Sequence, residues 1–332
     1  MKILVIGKEG RLKKYMPKTI NADDYEITYV SMSAEDDEII EKGQGAEIML
    51  VDAMARVSAK VIDSLPELKM IHSEGVGYNY FDINHAKEKG VYVCNCKAAN
   101  AMTVAEQSIL LMMALLRHLP EGDVAFREGR QIQTKEAHML SGDLRELSEC
   151  TVGLLGFGDI AQASAKLLNA FGAEVIYYNR TRKPELEEVL NVKYVSKEEL
   201  LKKSDIISVY VALNPETRHI VDEEFLMSMK EGAYIINTAR GDLVDTKALI
   251  RALECGHLAG AGLDTVEDEP VTLENEMLKA SDAVKNKCVF SPHIGGITGG
   301  AFRRCHGMFW SNVLKIREGL RPERIVNEEG RL

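Results

Sequence analysis

The stretch Thr151-Val152-Gly153-Leu154-Leu155-Gly156-Phe157-Gly158-Asp159-Ile160-Ala161 constrains the fold more than any other. Residues 152–155 are a short apolar run that reads as a strand buried on both faces of a parallel sheet. After Gly158 the period changes, and Ile160, Ala161, Ala163, Ser164, Leu167 and Leu168 recur at helical spacing. Between strand and helix lies Gly156-x-Gly158-x-x-Ala161. Gly156 permits a tight turn, Gly158 admits a pyrophosphate to the backbone, and the small Ala161 lets helix and strand pack closely. The first-turn amides, at the positive end of the helix dipole, then face the phosphates. A bare G-x-G-x-x-A also fits a plain tight turn. Here it sits in a strand-turn-helix, and a second strand-like run at 173–179 follows at the spacing of a dinucleotide-binding unit.

The rest of the chain repeats that alternation. Strands are expected at 3–6, 25–30, 48–51, 70–73 and 91–94, with helices between them, for example at 34–42 and 58–64. Gly7-x-x-Gly10 lacks the middle glycine and reads as a plain strand-end turn. Near Asn100 the pattern shifts: Thr103 is placed to cap a long apolar helix at 104–119, with Glu106 as capping-box partner. Residues 120–148 are polar and charged without a clear period, and read either as an arm that packs on a second subunit or as a solvated excursion. Further strands are expected at 152–155, 174–178, 192–195, 206–213, 234–237, 259–263 and 288–290, with helices at 160–170, 197–203, 222–229 and 246–254. A long helix at 301–318 returns to the first domain. The expectation is an α/β protein of two domains. Residues 1–100 and 298–332 form a flavodoxin-like substrate domain. Residues 101–297, with the crossover helix and a dimerisation arm at 120–148, form a doubly wound Rossmann domain. Two crossings make a hinge, with the active site expected in the cleft.

Bulk properties exclude several function classes. A length of 332 residues suits two domains, and 45% hydrophobic with 28% charged residues suits full cores. The formal net charge of −10 argues against nucleic acid as a partner. The six cysteines include no pair at zinc-knuckle spacing, so buried thiols in a reducing cytoplasm are expected, with no metal. The chain opens directly into a strand, which argues against a signal peptide, and its most apolar helix, at 109–116, is too short to span a bilayer.

Ligands of open α/β sheets bind outside the carboxyl ends of the strands. Polar residues at those ends are therefore the candidates. Strand 70–73 runs into Ser73-Glu74-Gly75-Val76-Gly77, whose backbone amides suit an anion or whose glycines merely serve a turn. Strand 234–237 ends in Thr238-Ala239-Arg240-Gly241, and strand 259–263 in Asp264 with Glu269-Pro270 beyond. Strand 288–290 leads to Ser291-Pro292-His293-Ile294-Gly295.

In residues 75–77, 100–106, 153–161, 215–218, 237–245, 260–270 and 291–298, in consistent order and spacing, the chain resembles the D-2-hydroxyacid dehydrogenase family. The resemblance covers essentially the whole chain. It implies that His293 is the general acid toward a 2-keto acid and the base toward a 2-hydroxy acid, a task its ordinary pKa suits. It implies that Glu269 bonds the other ring nitrogen and raises that pKa, and that Arg240 grips the carboxylate with a planar fork. Amides of Val76 and Gly77 would hold the same carboxylate, and Asp264 would sit on the nicotinamide side. Cofactor contacts are implied at Thr103, Gly156, Phe157, Gly158, Asp159, Ile160, Asn179, Arg180, Thr181, Thr217, Thr238, Ala239, Arg240, Asp264, His293 and Gly295. His72, His85, His118, His219, His257 and His306 lie off this rim and read as structural; His138 falls in the arm.

A fold of this kind that prefers NAD usually ends its second strand in an acid. This chain has Tyr178-Asn179-Arg180-Thr181-Arg182-Lys183 instead. Arg180, Thr181 and Arg182 suit a 2′-phosphate, or only solvate a loop. Tyr210 and Ala212 stand where many relatives carry histidine and proline, which puts adenine packing in question and leaves the chemistry untouched. The expected function is an NADP-preferring (or NAD-using) 2-keto acid reductase of the glyoxylate/hydroxypyruvate type. It is expected to be a cytoplasmic homodimer without membrane or nucleic-acid partners. A phosphoglycerate dehydrogenase-like enzyme using NAD is the alternative, and a dinucleotide-sensing corepressor the alternative outside enzymes. Glu269 argues against a formate dehydrogenase, in which glutamine replaces that acid.

Overall fold

A computed structural model describes residues 1–328 of the chain. They divide into two compact units, one holding residues 1–100 and the described residues from 296 on, the other residues 101–295. The first unit opens with β1 (Lys2–Ile6), α1 (Arg11–Tyr15), β2 (Glu26–Val30), α2 (Asp36–Gly43) and β3 (Ile48–Val51). It continues with α3 (Ala59–Asp63), β4 (Met70–Ser73), α4 (Ile83–Glu88) and β5 (Tyr92–Cys94). The strands pair in parallel in the order β2-β1-β3-β4-β5, the flavodoxin-like arrangement.

The second unit begins with α5 (Ala101–Leu116), α6 (Leu119–Arg127) and α7 (Gln131–Ser141). Then follow β6 (Thr151–Leu155), α8 (Asp159–Ala170), β7 (Glu174–Tyr178), α9 (Pro184–Glu187), β8 (Lys193–Tyr194), α10 (Lys197–Lys203) and β9 (Ile206–Val209). The unit is completed by α11 (Glu223–Ser228), β10 (Ala233–Asn237), α12 (Thr246–Glu254), β11 (Leu258–Leu263), α13 (Glu276–Lys279), α14 (Asp282–Lys285) and β12 (Cys288–Phe290). Helix α15 (Gly299–Arg317) belongs to the first unit. The second sheet is parallel in the order β12-β11-β10-β9-β6-β7-β8, which is the doubly wound Rossmann order with one strand added at an edge.

Apolar strands form because both faces of each sheet are covered, so successive residues serve opposite layers. In the first unit Ile3, Val5, Ile48 and Leu50 pack with Phe309, Trp310 and Val313 of α15, while Leu4, Ile6, Met49 and Val51 pack with Ile39 and Ile62. In the second, Ile206 and Ile236 share a layer with α5 and α8, and their neighbours Ile207 and Ile235 face α11 and α12. Side-chain caps fix where helices start. Ser58 accepts from Val61 N–H, Asp245 from Ala248 N–H, and Ser196 with Glu199 closes a capping box on α10. Each cap of this kind contributes about 1 kcal/mol.

Two expectations are corrected, and the arm gains its helices. The crossover helix starts at Ala101, with Thr103 buried inside its first turn, and stops at Leu116 because His118 takes a left-handed φ of 45°. Residues 120–148 are more ordered than their composition suggests. Pro120 lies in the first turn of α6, where a missing N–H does no harm, and α7 follows directly. Strand β9 ends at Val209, well before Leu213, because its pairing partners end at Leu155 and Asn237.

Candidate active site

β6 runs into the glycine turn beside β9, where the strand order reverses. Gly156 has φ 91°, and a Cβ there would lie 2.9 Å from the backbone of Tyr210 and Val211, so the protein itself requires glycine. Gly158 differs. It is exposed, has φ −81° at the N-cap of α8, and a Cβ added to it would meet no protein atom within 4 Å. The turn is therefore tight on its inner side and open on its outer side, which fits a pyrophosphate brought against the first amides of α8, Asp159 and Ile160 among them. Phe157 turns inward to stack on Tyr177 at 4.0 Å, and its N–H donates to Asn179 Oδ1 at 3.2 Å. Asn179 Nδ2 donates to Thr181 O at 2.7 Å, so one side chain ties the glycine turn to the loop after β7.

In that loop Arg182 is already engaged. Its guanidinium forks onto Glu187 at 2.7 and 2.8 Å and lies 5.5 Å over the Tyr194 ring. Arg182 is thereby paired with α9 in this structure. Arg180 remains, 93% exposed, with Glu216 3.9 Å away. Thr217 Oγ1 is turned inward to Ala212 O at 2.7 Å, and Asn214 Oδ1 accepts from the N–H groups of Glu216 and Thr217. Tyr210, half-buried, is hydrogen-bonded to Ser164 at 2.8 Å. Thr238 is buried and bonds Ser108 at 2.8 Å.

The ends of β10, β11 and β12 bring Arg240, Glu269 and His293 together in one unit. Asn237, 1% exposed, accepts from Ala239 N–H and donates to Arg240 O, which shapes the turn that presents Arg240. Arg240 is half-buried and its Nη1 donates to Ala239 O at 2.7 Å. The Arg240 turn lies so close to the segment after β11 that a Cβ on Gly241 would overlap Val266 and Glu267 backbone. Glu269 Oε1 accepts from Val266 N–H at 3.1 Å, and Oε2 accepts from His293 Nδ1 at 2.6 Å. A carboxylate only accepts, so Nδ1 carries the proton of this bond and Nε2 is left for chemistry. Burial pushes the Glu269 carboxyl toward neutrality, but the His293 bond and charge, the Val266 N–H and the Arg240 charge outweigh it and hold its pKa below the ordinary value.

His293 itself has φ 54°, a left-handed conformation that is uncommon outside glycine. The buried Asp264 maintains it. Its Oδ1 accepts from Ser291 Oγ and Ile294 N–H, its Oδ2 from Gly295 N–H at 2.8 Å, and its carbonyl from His293 N–H at 2.9 Å. Gln107 of α5 donates to Ser291 Oγ at 2.9 Å. In the first unit, Ser73 Oγ donates to Gly77 O at 2.6 Å and Asn95 Nδ2 to Val76 O at 2.9 Å. Both carbonyls are thereby tied down, and no acceptor among the described residues takes the N–H of Val76 or Gly77.

Sequence reading passed over three contributors. Ser291 acts through hydrogen bonds that bridge distant segments, to Asp264 and Gln107, and Asn237 through bonds within its own turn; a buried asparagine closing an apolar strand is the one local signal. The third is Glu267, two residues before Glu269. It bonds His219 at 2.5 Å, Arg218 at 3.2 Å and Thr246 N–H at 3.3 Å, which joins three of the loops. Among the described residues no group of His, Cys, Asp or Glu is arranged to hold a metal ion, and no helix is long and apolar enough to cross a membrane.

Comparison with known proteins agrees with this geometry. Residues 109–295 match the model of the D-isomer specific 2-hydroxyacid dehydrogenase NAD binding domain. The chain is 37% identical to glyoxylate reductase of Thermococcus litoralis, over 88% of this chain and 86% of the relative. Among solved structures it is similar to D-lactate dehydrogenase of Aquifex aeolicus complexed with NAD and lactic acid, with TM-score 0.81, 28% identity and 96% of each chain covered. It is also similar to an acyclic imino acid reductase in complex with NADPH and D-Arg, with TM-score 0.82, 27% identity and coverage of 98% of this chain and 99% of the other. The open glycine turn, the strand-end trio and these matches identify the chain as a member of the D-isomer specific 2-hydroxyacid dehydrogenase family, an NAD(P)-dependent enzyme.

Proposed function

We propose that this enzyme reduces a small 2-keto acid of the glyoxylate/hydroxypyruvate type to the D-2-hydroxy acid and prefers NADPH. The observation that carries the reading is the 2.6 Å bond from His293 to the ionised Glu269 beside Arg240. The glyoxylate reductase relative supports the substrate class. When bound, the nicotinamide supplies the hydride to C2. The chain's residues do the rest. Arg240 and the amides of Val76 and Gly77 hold the keto acid's carboxylate, and the planar fork orients a planar acid. His293 delivers the proton on Nε2 to the carbonyl oxygen, and Glu269 stabilises the imidazolium form through Nδ1. Asp264 holds the His293 turn. Gly156, Phe157, Gly158, Asp159 and Ile160 would hold the pyrophosphate. Thr103, Thr238, Ala239, Asp264 and Gly295 would line the nicotinamide side. Asn179, Arg180, Thr181 and Thr217 would take the adenosine side.

The cofactor preference rests on a strand end without an acid and on the exposed Arg180. One charge-assisted bond to a 2′-phosphate supports a preference of about tenfold. The test is a panel of 2-keto acids assayed with NADH and NADPH in the parent and in Arg180→Ala. Turnover of glyoxylate or hydroxypyruvate is expected, with NADPH favoured and the substitution weakening NADPH while sparing NADH. Equal specificity constants, or an equal loss for both cofactors, contradict the preference; no turnover of any 2-keto acid contradicts the activity.

A further inference from the structure

A second charged cluster lies in the first unit. Arg11, Asp52 and Glu74 stand just past β1, β3 and β4, which are neighbours in the sheet, at the carboxyl ends where ligands of such sheets bind. The Glu74 side chain is 4% exposed. Arg11 Nε donates to its Oε1 at 2.9 Å, and the adjoining guanidinium nitrogen contacts Oε2 and lies 2.7 Å from Asp52. His306 of α15, itself buried, donates from Nε2 to Glu74 Oε1 at 2.7 Å. Burial disfavours the Arg11 charge, yet Glu74 and Asp52 hold its pKa above the ordinary value. The guanidinium also lies 5.5 Å over the Phe302 ring.

Glu74 directly precedes the loop of residues 75–77, so chain connectivity keeps its carboxylate within roughly 15 Å of any anion held by the Val76 and Gly77 amides. Charges at that range in a partly buried setting are poorly screened. An uncompensated carboxylate there would repel the substrate's own.

We propose that Arg11 and Glu74 are positioning residues that form a charge-compensated floor under this loop and set how tightly it holds the keto acid. The proposal rests on the assignment of Val76 and Gly77 to the substrate carboxylate. Its signature is a pair of opposite signs. Arg11→Gln leaves the buried carboxylate uncompensated and is expected to raise KM for glyoxylate about tenfold, with kcat less affected and KM for the nicotinamide cofactor unchanged. Glu74→Gln keeps the shape, removes the negative charge, and is expected to lower that KM about twofold to threefold. The double variant is expected to return to within about twofold of the parent.

A raised KM in Glu74→Gln overturns the proposal, as does a double variant as impaired as Arg11→Gln, because loss of packing moves every variant one way. Removing one partner of a buried ion pair is strongly destabilising. If Arg11→Gln does not fold, the sign of the Glu74→Gln shift decides alone. A parent that reduces no 2-keto acid fails the underlying assignment. A parent that reduces glyoxylate with a KM indifferent to all three changes fails this proposal only.

Discussion

His293 occupies a backbone conformation that costs about 1–3 kcal/mol for a residue other than glycine. Four bonds to Asp264 offset that cost, and Glu269 fixes which ring nitrogen faces away. The pair has a pH consequence. The folded-state pKa of Glu269 is depressed, so its contribution to stability is present above the ordinary glutamate pKa and lost as acid protonates it. Thermal melts should accordingly show a smaller acid-induced loss in Glu269→Gln than in the parent.

At the scale of elements, the close approach of the β10 and β11 ends makes the trio. Gly241→Ala is expected to force the Arg240 turn away from Val266 and to lower kcat/KM by roughly tenfold to a hundredfold, since small misplacements of positioning groups are costly. A fully active Gly241→Ala enzyme would show that the approach is incidental. These elements also show what a sequence makes legible. The strand with its G-x-G-x-x-A turn, β3, β4 and β12 follow from local runs of apolar residues and turn glycines. Arg240, Glu269 and His293 are legible as polar residues at strand ends. The length of β9 depends on where its neighbours stop, and the break at His118 on one residue's φ, neither of which is a local pattern. Arg182 looked available because its partner Glu187 lies on the next short helix, and only the fold shows them forked together.

For the whole molecule, α6 and α7 leave Val124, Phe126, Ile132, Met139 and Leu140 exposed, the last by 91%. Large exposed apolar side chains of this kind favour the reading of this arm as the contact of a homodimer. Phe126→Glu with Leu140→Glu is expected to halve the mass measured by light scattering while the fold survives; a parent that is monomeric would end that reading. The central claim concerns the proton. Its most direct test is glyoxylate reduction by His293→Ala, with reduced-cofactor affinity measured alongside. The account predicts a turnover number lower by roughly two to four orders of magnitude with cofactor affinity nearly unchanged; turnover near that of the parent would contradict it.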